Sequence, residues 1–250
     1  MSLRILTEMR IDVYLAEAGL VGSRTEAKKY ISEGLVIIDG KIVTKPSLDI
    51  SGLEDKITVI EPEQSFVGRG GLKLDGALTE FRISVEGKRC LDVGASSGGF
   101  TDCLLQNGAS HVIAVDSGKD QLVESIRRDD RVTSIEGYNA RYMKPSDFPY
   151  LAEVAVMDVS FISATYIIPA LSECVVSGAD FILLIKPQFE VGRENVGKGG
   201  IVKSRDARMR AIDKVVECAA QYGFMLISVM ESPITGGDGN VEYLAHFLRC

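Results

Sequence analysis

Leu91 to Asp102 reads LDVGASSGGFTD: an apolar run, an acid, a loop of small residues holding Gly94, Gly98 and Gly99, and then the start of a helix-like pattern. In an open α/β sheet, ligands bind beyond the carboxyl ends of the strands, where glycines let backbone come close and a helix N-terminus faces an anion. The rest of the chain agrees with such a sheet. From Arg89 onward the strand-like segments RCLDVG, HVIAVD, VTSIEG, VAVMDVS and FILLIK alternate with the helix-like segments FTDCLLQNG, KDQLVESIRRD, ATYIIPALSECVV and SRDARMRAIDKVVECAAQYG. That alternation predicts an α/β fold with a doubly wound, mostly parallel sheet. The tail differs. FMLISVM, SPITGGDGN and VEYLAHFL read as strand, loop and strand with no helix between, so the last strand is expected to run antiparallel at the sheet end.

The 250 residues, 46% hydrophobic and 25% charged, are enough for one or two domains with sizeable cores. No apolar run approaches the 20 or so residues that span a bilayer, and MSLRILTE reads as a short tail without a signal-like segment. Five scattered cysteines without a CxxC suggest reduced thiols and a cytoplasmic protein. With His111 and His246 the only histidines, no metal site is expected. The net charge of −7 argues against a protein that merely coats nucleic acid, but Lys186 to Lys214 holds eight lysines and arginines against four acids. A local basic face of this kind suits RNA.

The first sixty residues have another character. Asp12 and Ser23 can each cap a helix, with Gly19 and Gly34 as stops. LVIIDGKIV reads as a hairpin turning at Asp39-Gly40, KITVI as a further strand, and EPEQS as a linker. The order SRTEAKKYISEGLV, DGKIVTKP resembles the small RNA-binding domain named after ribosomal small-subunit protein four, with Arg24, Lys28 and Lys29 on its second helix. The expected division is a small α+β domain over 1–62, a linker and first helix over 63–83, and the α/β domain over 84–250.

At the glycine loop two cofactor readings compete. Asp116 ends the second strand 24 residues after Asp92, where a carboxylate can accept hydrogen bonds from ribose hydroxyls. Gly94, Ser96 and Gly99 form a damaged GxGxxG that would suit a nicotinamide, but no tyrosine is followed four residues later by a lysine to relay a proton. The alternative is an acidic-start glycine loop facing the methionine part of S-adenosylmethionine. DVGASSGGF resembles the loop of FtsJ-like ribose methyltransferases.

FILLIKPQFE, Phe181 to Glu190, then poses its own question, a lysine at the rim of a buried strand directly before a proline. A strand-end lysine commonly just snorkels to solvent. It can also take a proton from a ribose hydroxyl if burial or a second cation lowers its pKa from about 10.4. Lys186 has company: Asp158 ends the neighbouring strand, Glu242 opens the last one, and Lys73 lies in GRGGLKL before the sheet.

Together with MDVSFIS, LIKPQFEVGRE, VGKGGIV and SPITGGDGNVEYL, these segments resemble the TlyA family, which carries both haemolysin and ribosomal RNA 2′-O-methyltransferase names. The resemblance implies a catalytic tetrad of Lys73, Asp158, Lys186 and Glu242 and no metal. It implies S-adenosylmethionine held by Asp92, Gly94, Ala95, Ser96, Gly98, Gly99, Phe100, Asp116 and Asp158. It also implies ribosomal RNA or ribosomal subunits, with cytidine as the target, contacted by Arg24, Lys28, Lys29, Arg69, Lys198, Lys203 and Arg205. This chain departs from the family pattern at Gly68, at Asp238 in GGDGN where histidine is usual, and in SGKDQL after Asp116. The competing readings are an RNA-binding protein without catalysis and a membrane-acting haemolysin. For the latter the sequence offers no spanning segment and no cationic amphipathic helix.

Overall fold

The computed structural model describes residues 9–32, 34–60 and 66–250; the tail MSLRILTE and the linker reading of EPEQS lie outside the described residues. The chain divides into two compact units, Met1–Ser65 and Phe66–Cys250.

In the small unit, helices α1 (Ile11–Glu17) and α2 (Arg24–Ser32) precede strands β1 (Val36–Ile38), β2 (Lys41–Ile42) and β3 (Ile57–Val59), which pair antiparallel in the order β2-β1-β3. Asp39 and Gly40 both take positive φ, as the expected two-residue hairpin requires. The Ser23 hydroxyl accepts the Glu26 N–H and so caps α2 as expected. Asp12 does not cap α1. Arg10 holds the cap position, and Asp12 sits in the first turn, fully buried, its carboxylate taken up by the guanidinium groups of Arg10 and Arg24 at 3.0 and 2.9 Å.

The large unit runs α3 (Arg69–Phe81), β4 (Arg89–Val93), α4 (Gly99–Gln106), β5 (His111–Asp116), α5 (Glu124–Arg127), β6 (Val132–Glu136), β7 (Ala152–Met157), α6 (Ile168–Glu173), β8 (Val175–Ile185), α7 (Pro187–Glu190), α8 (Arg205–Gln221), β9 (Phe224–Glu231) and β10 (Tyr243–Arg249). Its seven strands lie in the order β6-β5-β4-β7-β8-β10-β9. The five strands from β6 to β8 are parallel, and β10 slips antiparallel between β8 and β9. Alternate residues of the central strands enter two separate cores. Leu91, Val93, Ile113, Val115, Met157 and Leu183 face one side; Cys90, Val112, Ala114, Val156, Ile182 and Leu184 face the other. A sheet covered on both faces therefore reads as continuous apolar runs.

Two expected helices are shorter than their patterns. KDQLVESIRRD yields only α5, because the Gln121 and Leu122 N–H groups donate to the Glu136 carboxylate at 2.6 and 3.0 Å and hold the segment's start out of a helix. ATYIIPALSECVV breaks into a 3-10 turn over Ala164–Tyr166 and the six-residue α6, with Pro169 in its first turn, and Val175 already opens β8.

Under the β8–β10–β9 end of the sheet, the ring of Phe181 lies 5.1 Å from that of Phe224 and 5.6 Å from that of Phe247, all three fully buried. Phe181→Ala should lower the unfolding free energy by about 3–5 kcal/mol in chemical denaturation. A loss below about 1 kcal/mol would mean that this aromatic cluster repacks around the gap.

Candidate active site

The register brings the ligand-facing groups to one edge. Val93 pairs with Val115 and Met157, and Met157 with Leu183, so β4, β5 and β7 end at nearly the same level and β8 runs on to Ile185 just beyond it. Because β10 runs the other way, it is its first residue, Tyr243, that pairs with Ile185 at this edge. Asp116, Asp158, Lys186 and Glu242 thus sit at or just beyond the same line of backbone. Pro187 has no N–H to continue the ladder, so β8 stops and α7 begins immediately after the lysine.

The glycine loop is bent tightly over this edge. Gly94 has φ of +86°, and a Cβ there would collide with the Asp158 carbonyl. Its N–H donates to the Val115 carbonyl, while the Asp158 N–H donates to that of Val93. The Asp116 carboxylate accepts the Ser96 and Gly118 N–H groups at 2.8 and 2.7 Å, which leaves lone pairs for a diol. Gly94, Ser96, Asp116 and Asp158 border a cavity of about 450 Å³, which Tyr138 and Asn139 also line. That is the range of nucleoside-sized sites. Ala95, Gly99 and Phe100 border a smaller, adjoining cavity shared with Arg69 and Lys186.

Asp92 and Gly98 stand behind the loop and border neither cavity. Gly98 has φ of +101° and packs against Leu122 and Ile126. Asp92 is fully buried. One oxygen accepts the Thr101 hydroxyl at 2.6 Å, and the other has no hydrogen-bond partner among the described residues. Burial pushes its carboxyl up to about 7, aided by the nearby acids Asp158 and Asp116.

The tetrad residues form two ion pairs. Lys186 Nζ lies 2.5 Å from Asp158 and donates to the Ser160 hydroxyl at 2.8 Å. Lys73, on α3, donates to Glu242 Oε2 at 2.6 Å, the two side chains being only 9% and 3% exposed. Breaking such a buried pair from one side costs about 3–5 kcal/mol, since the remaining charge is stranded. Lys186, Asp238 and Glu242 border one further cavity with Phe161, so one member of each pair, Lys186 and Glu242, faces a common space.

Of the cations expected to meet RNA, Lys28 and Lys29 are exposed on α2, and Arg24 is held by Asp12. Arg69 donates to the Thr235 carbonyl at 2.9 Å at the rim of the smaller cavity. Lys198 and Lys203 are exposed on the loop leading into α8, and Arg205 is exposed as the first residue of that helix.

Several residues of this edge escaped the sequence reading. Phe161, with φ of +64°, is 92% exposed and borders the large cavity. A bulky residue in the left-handed region is strained, and such strain concentrates at working sites. Glu190 is buried and accepts the Ser163 hydroxyl, the Ala164 N–H and the Lys214 ammonium, tying the loop after β7 to α7 and α8. Asn240 is buried and uses its one amide twice, accepting from the Val202 N–H and donating to the Gly200 carbonyl, both at 2.9 Å. Neither Glu190 nor Asn240 carries a signal in isolation; the glycines around Asn240 were the only hint.

Comparison with known proteins identifies both units. Residues 66–249 match the FtsJ-like methyltransferase family, and residues 9–57 match the S4 domain. The chain is 44% identical to the 16S/23S rRNA (cytidine-2′-O)-methyltransferase TlyA of Mycobacterium tuberculosis, over 94% of this chain and 87% of that protein. It is likewise 44% identical to hemolysin A of Brachyspira hyodysenteriae, over 96% of this chain and all of that one. A solved structure from Streptococcus thermophilus that carries a hemolysin name superimposes with a TM-score of 0.75 at 43% identity, covering 97% of this chain and 88% of that one.

The buried Asp92 carboxyl leads to a pH prediction. Its folded pKa, about 7, lies above the ordinary value near 4, so between those pH values the folded state binds a proton that the unfolded state has released. That contribution to stability is present below about pH 4 and is lost as pH rises to about 7. Asp92→Asn should therefore show a flatter fall in melting temperature across pH 4 to 7 than the wild type; equal slopes would assign the pH dependence elsewhere.

Proposed function

The chain belongs to the TlyA family of FtsJ-like methyltransferases with an S4 domain, and on that premise we propose that it methylates the ribose 2′-hydroxyl of a cytidine in ribosomal RNA. The observation that carries this reading is the pairing of Lys186 with Asp158 and of Lys73 with Glu242, with Lys186 and Glu242 bordering one space at the strand ends.

The methyl donor in this reading is S-adenosylmethionine, and its fit rests on the loop. Gly94 lets the loop turn tightly against the Asp158 carbonyl, Asp116 keeps free lone pairs, and the cavity beside them is about 450 Å³. Gly94, Ala95, Ser96, Gly99, Phe100, Asp116 and Asp158 are the residues to hold it, with Asp92 and Gly98 supporting the loop from behind. When bound, it supplies an electrophilic methyl on a sulfonium.

A ribose hydroxyl is a weak nucleophile, so the chain must orient it and accept its proton. Once Lys186 has released a proton to solvent, its Nζ is the free amine that receives the hydroxyl proton as the oxygen gains its methyl, with Asp158 and Ser160 holding the group in place. Lys73 acts as the second cation and, through its bond to Glu242, holds that carboxylate against the same space. The exposed ring of Phe161 offers a face on which the target base can stack. No residue in this scheme requires a metal.

RNA contacts fall to Arg24, Lys28 and Lys29 of the small domain and to Arg69, Lys198, Lys203 and Arg205 of the large one. In this reading 1–62 recognises RNA, 84–250 carries the transfer, and 63–83 joins them and contributes Lys73. Work on ribosomal RNA places the protein in the cytoplasm. Among the described residues no helix is long and apolar enough to cross a membrane.

The test is transfer of labelled methyl from S-adenosylmethionine to ribosomal subunits lacking the modification. Wild type should label rRNA on ribose, and Lys186→Ala should lose the activity by at least about a hundredfold while binding the cofactor normally. Near-wild-type turnover by Lys186→Ala would remove the lysine from its role. No label from the wild type, despite calorimetric cofactor binding, would overturn the substrate assignment. In the same calorimeter Asp116→Ala should weaken the cofactor roughly tenfold or more; unchanged affinity would contradict its ribose contact.

A further inference from the structure

Glu190 is a buried acid with no part in the transfer scheme, and its place in the fold is specific. Strands β7 and β8 are parallel neighbours, Met157 beside Leu183, and Asp158 and Lys186 stand just past their ends. From there two short segments leave the sheet, Asp158 to Ala164 and Lys186 to Glu190. Lys186 joins them at the start, through Asp158 and the Ser160 hydroxyl. The ring centres of Phe161 and Phe189 meet midway, 5.2 Å apart. Glu190 joins them at the far end, where its carboxylate accepts the Ser163 hydroxyl and, at 2.7 Å, the Ala164 N–H.

Between these two fastenings lies the strained residue. A bulky side chain keeps a φ of +64°, as Phe161 does, only where its surroundings over-determine it. The Phe161 ring is almost wholly exposed and supplies little of that constraint. It comes instead from the flanks, Ser160 being held by Lys186, and Ser163 and Ala164 by Glu190. Glu190 is itself anchored, since Lys214 on α8 donates to its carboxylate at 3.2 Å and to its backbone carbonyl at 2.9 Å. With the far end released, Phe161 relaxes toward negative φ, and the turn that sets Ser160 against the lysine is lost.

We propose that Glu190 is a positioning residue for the transfer step. It holds the loop of residues 159–163 in the strained form that keeps Ser160 and Asp158 set on the Lys186 amine. It acts through that loop and not on the reacting atoms. This deepens the ribose-methylation reading and rests on it for the step affected.

Two substitutions separate positioning from stability alone. Glu190→Ala removes both loop contacts and strands the buried Ala164 N–H. Glu190→Gln keeps the length and an oxygen for that N–H, while the half-exposed Lys214 keeps water and the backbone carbonyl of residue 190. In the full-length protein, single-turnover methyl transfer at saturating cofactor and ribosomal subunits should slow roughly tenfold to a hundredfold with Glu190→Ala and stay within about threefold with Glu190→Gln. Affinities for cofactor and for subunits should move less than about threefold in either, placing the loss in the rate and not in KM. Added to Ser160→Ala, Glu190→Ala should cost less than about threefold more, because the two act on one contact. The chain has no tryptophan, so Phe161→Trp makes the loop its own reporter. The anisotropy of that indole should fall when Glu190→Ala is added and hold with Glu190→Gln. Should Glu190→Ala not fold, Ser163→Ala, which frees the same carboxylate from the loop side, takes its place with a loss of about threefold or more.

A wild-type rate for the alanine variant, an equal loss with glutamine, a loss confined to affinity, additivity with Ser160→Ala, or unchanged anisotropy would each overturn the proposal. A lower melting temperature beside an unchanged rate would likewise reduce Glu190 to a stabilising residue. The anisotropy needs no methyl transfer. If the wild type labels no rRNA, the methylation reading falls while the hold of Glu190 on the loop is still decided.

Discussion

Everything at the working edge follows from one strand running the wrong way. Parallel strands bring only their carboxyl ends to that edge, and a residue at the start of a further parallel strand would lie at the opposite end of the sheet. By pairing β10 antiparallel to β8, with Tyr243 opposite Ile185, the chain delivers Glu242 beside the point where β8 gives out at Lys186. The long loop before β10 supplies the reversal. Once Glu242 is there, largely buried, it needs a cation, and Lys73 meets it from 169 residues away in sequence. That ion pair is therefore a consequence of topology as much as of chemistry, and it also fixes α3 against the sheet.

The four charges could have formed one mutually neutralised cluster, but they form two pairs with different settings. Lys73 and Glu242 are nearly sealed from water, whereas Lys186 and Asp158 lie partly open to the cavities. A sealed pair is a poor proton carrier, because a proton leaving it strands a charge in a medium of low dielectric. An open pair whose lysine donates to the Ser160 hydroxyl can exchange protons with solvent. The division of labour assigned to the two lysines rests on their partners, Glu242 being 3% and Asp158 20% exposed, since the lysines themselves are 9% and 12% exposed.

How much of this was legible in the sequence depends on whether the signal was local. Apolar strand runs, the glycine loop, Asp116 and Lys186 before Pro187 each announce themselves within a few residues, and the parallel sheet and its antiparallel end follow from their order. Helix extents were less legible where a distant group competed for the backbone. Glu136, on β6, captures the amides that would have begun the helix of KDQLVESIRRD. Asp12 has the residue type and place of a cap, but two guanidinium groups draw its carboxylate inward. Glu190 could not be read at all, since its partners lie on separate segments and no spacing along the chain records them.

Asn240 bears on how kinetic data from this protein are to be interpreted. One side-chain amide bonds both Gly200 and Val202, and two residues later the chain reaches Glu242. The cationic loop and the carboxylate are thus parts of one rigid clasp. Experimenters customarily sort variants into those that weaken substrate capture and those that slow the chemical step. Here that sorting fails by construction: disturbing the loop from Lys198 to Lys203 also displaces the acid, so KM and kcat should move together, and double-mutant cycles across the clasp should depart from additivity.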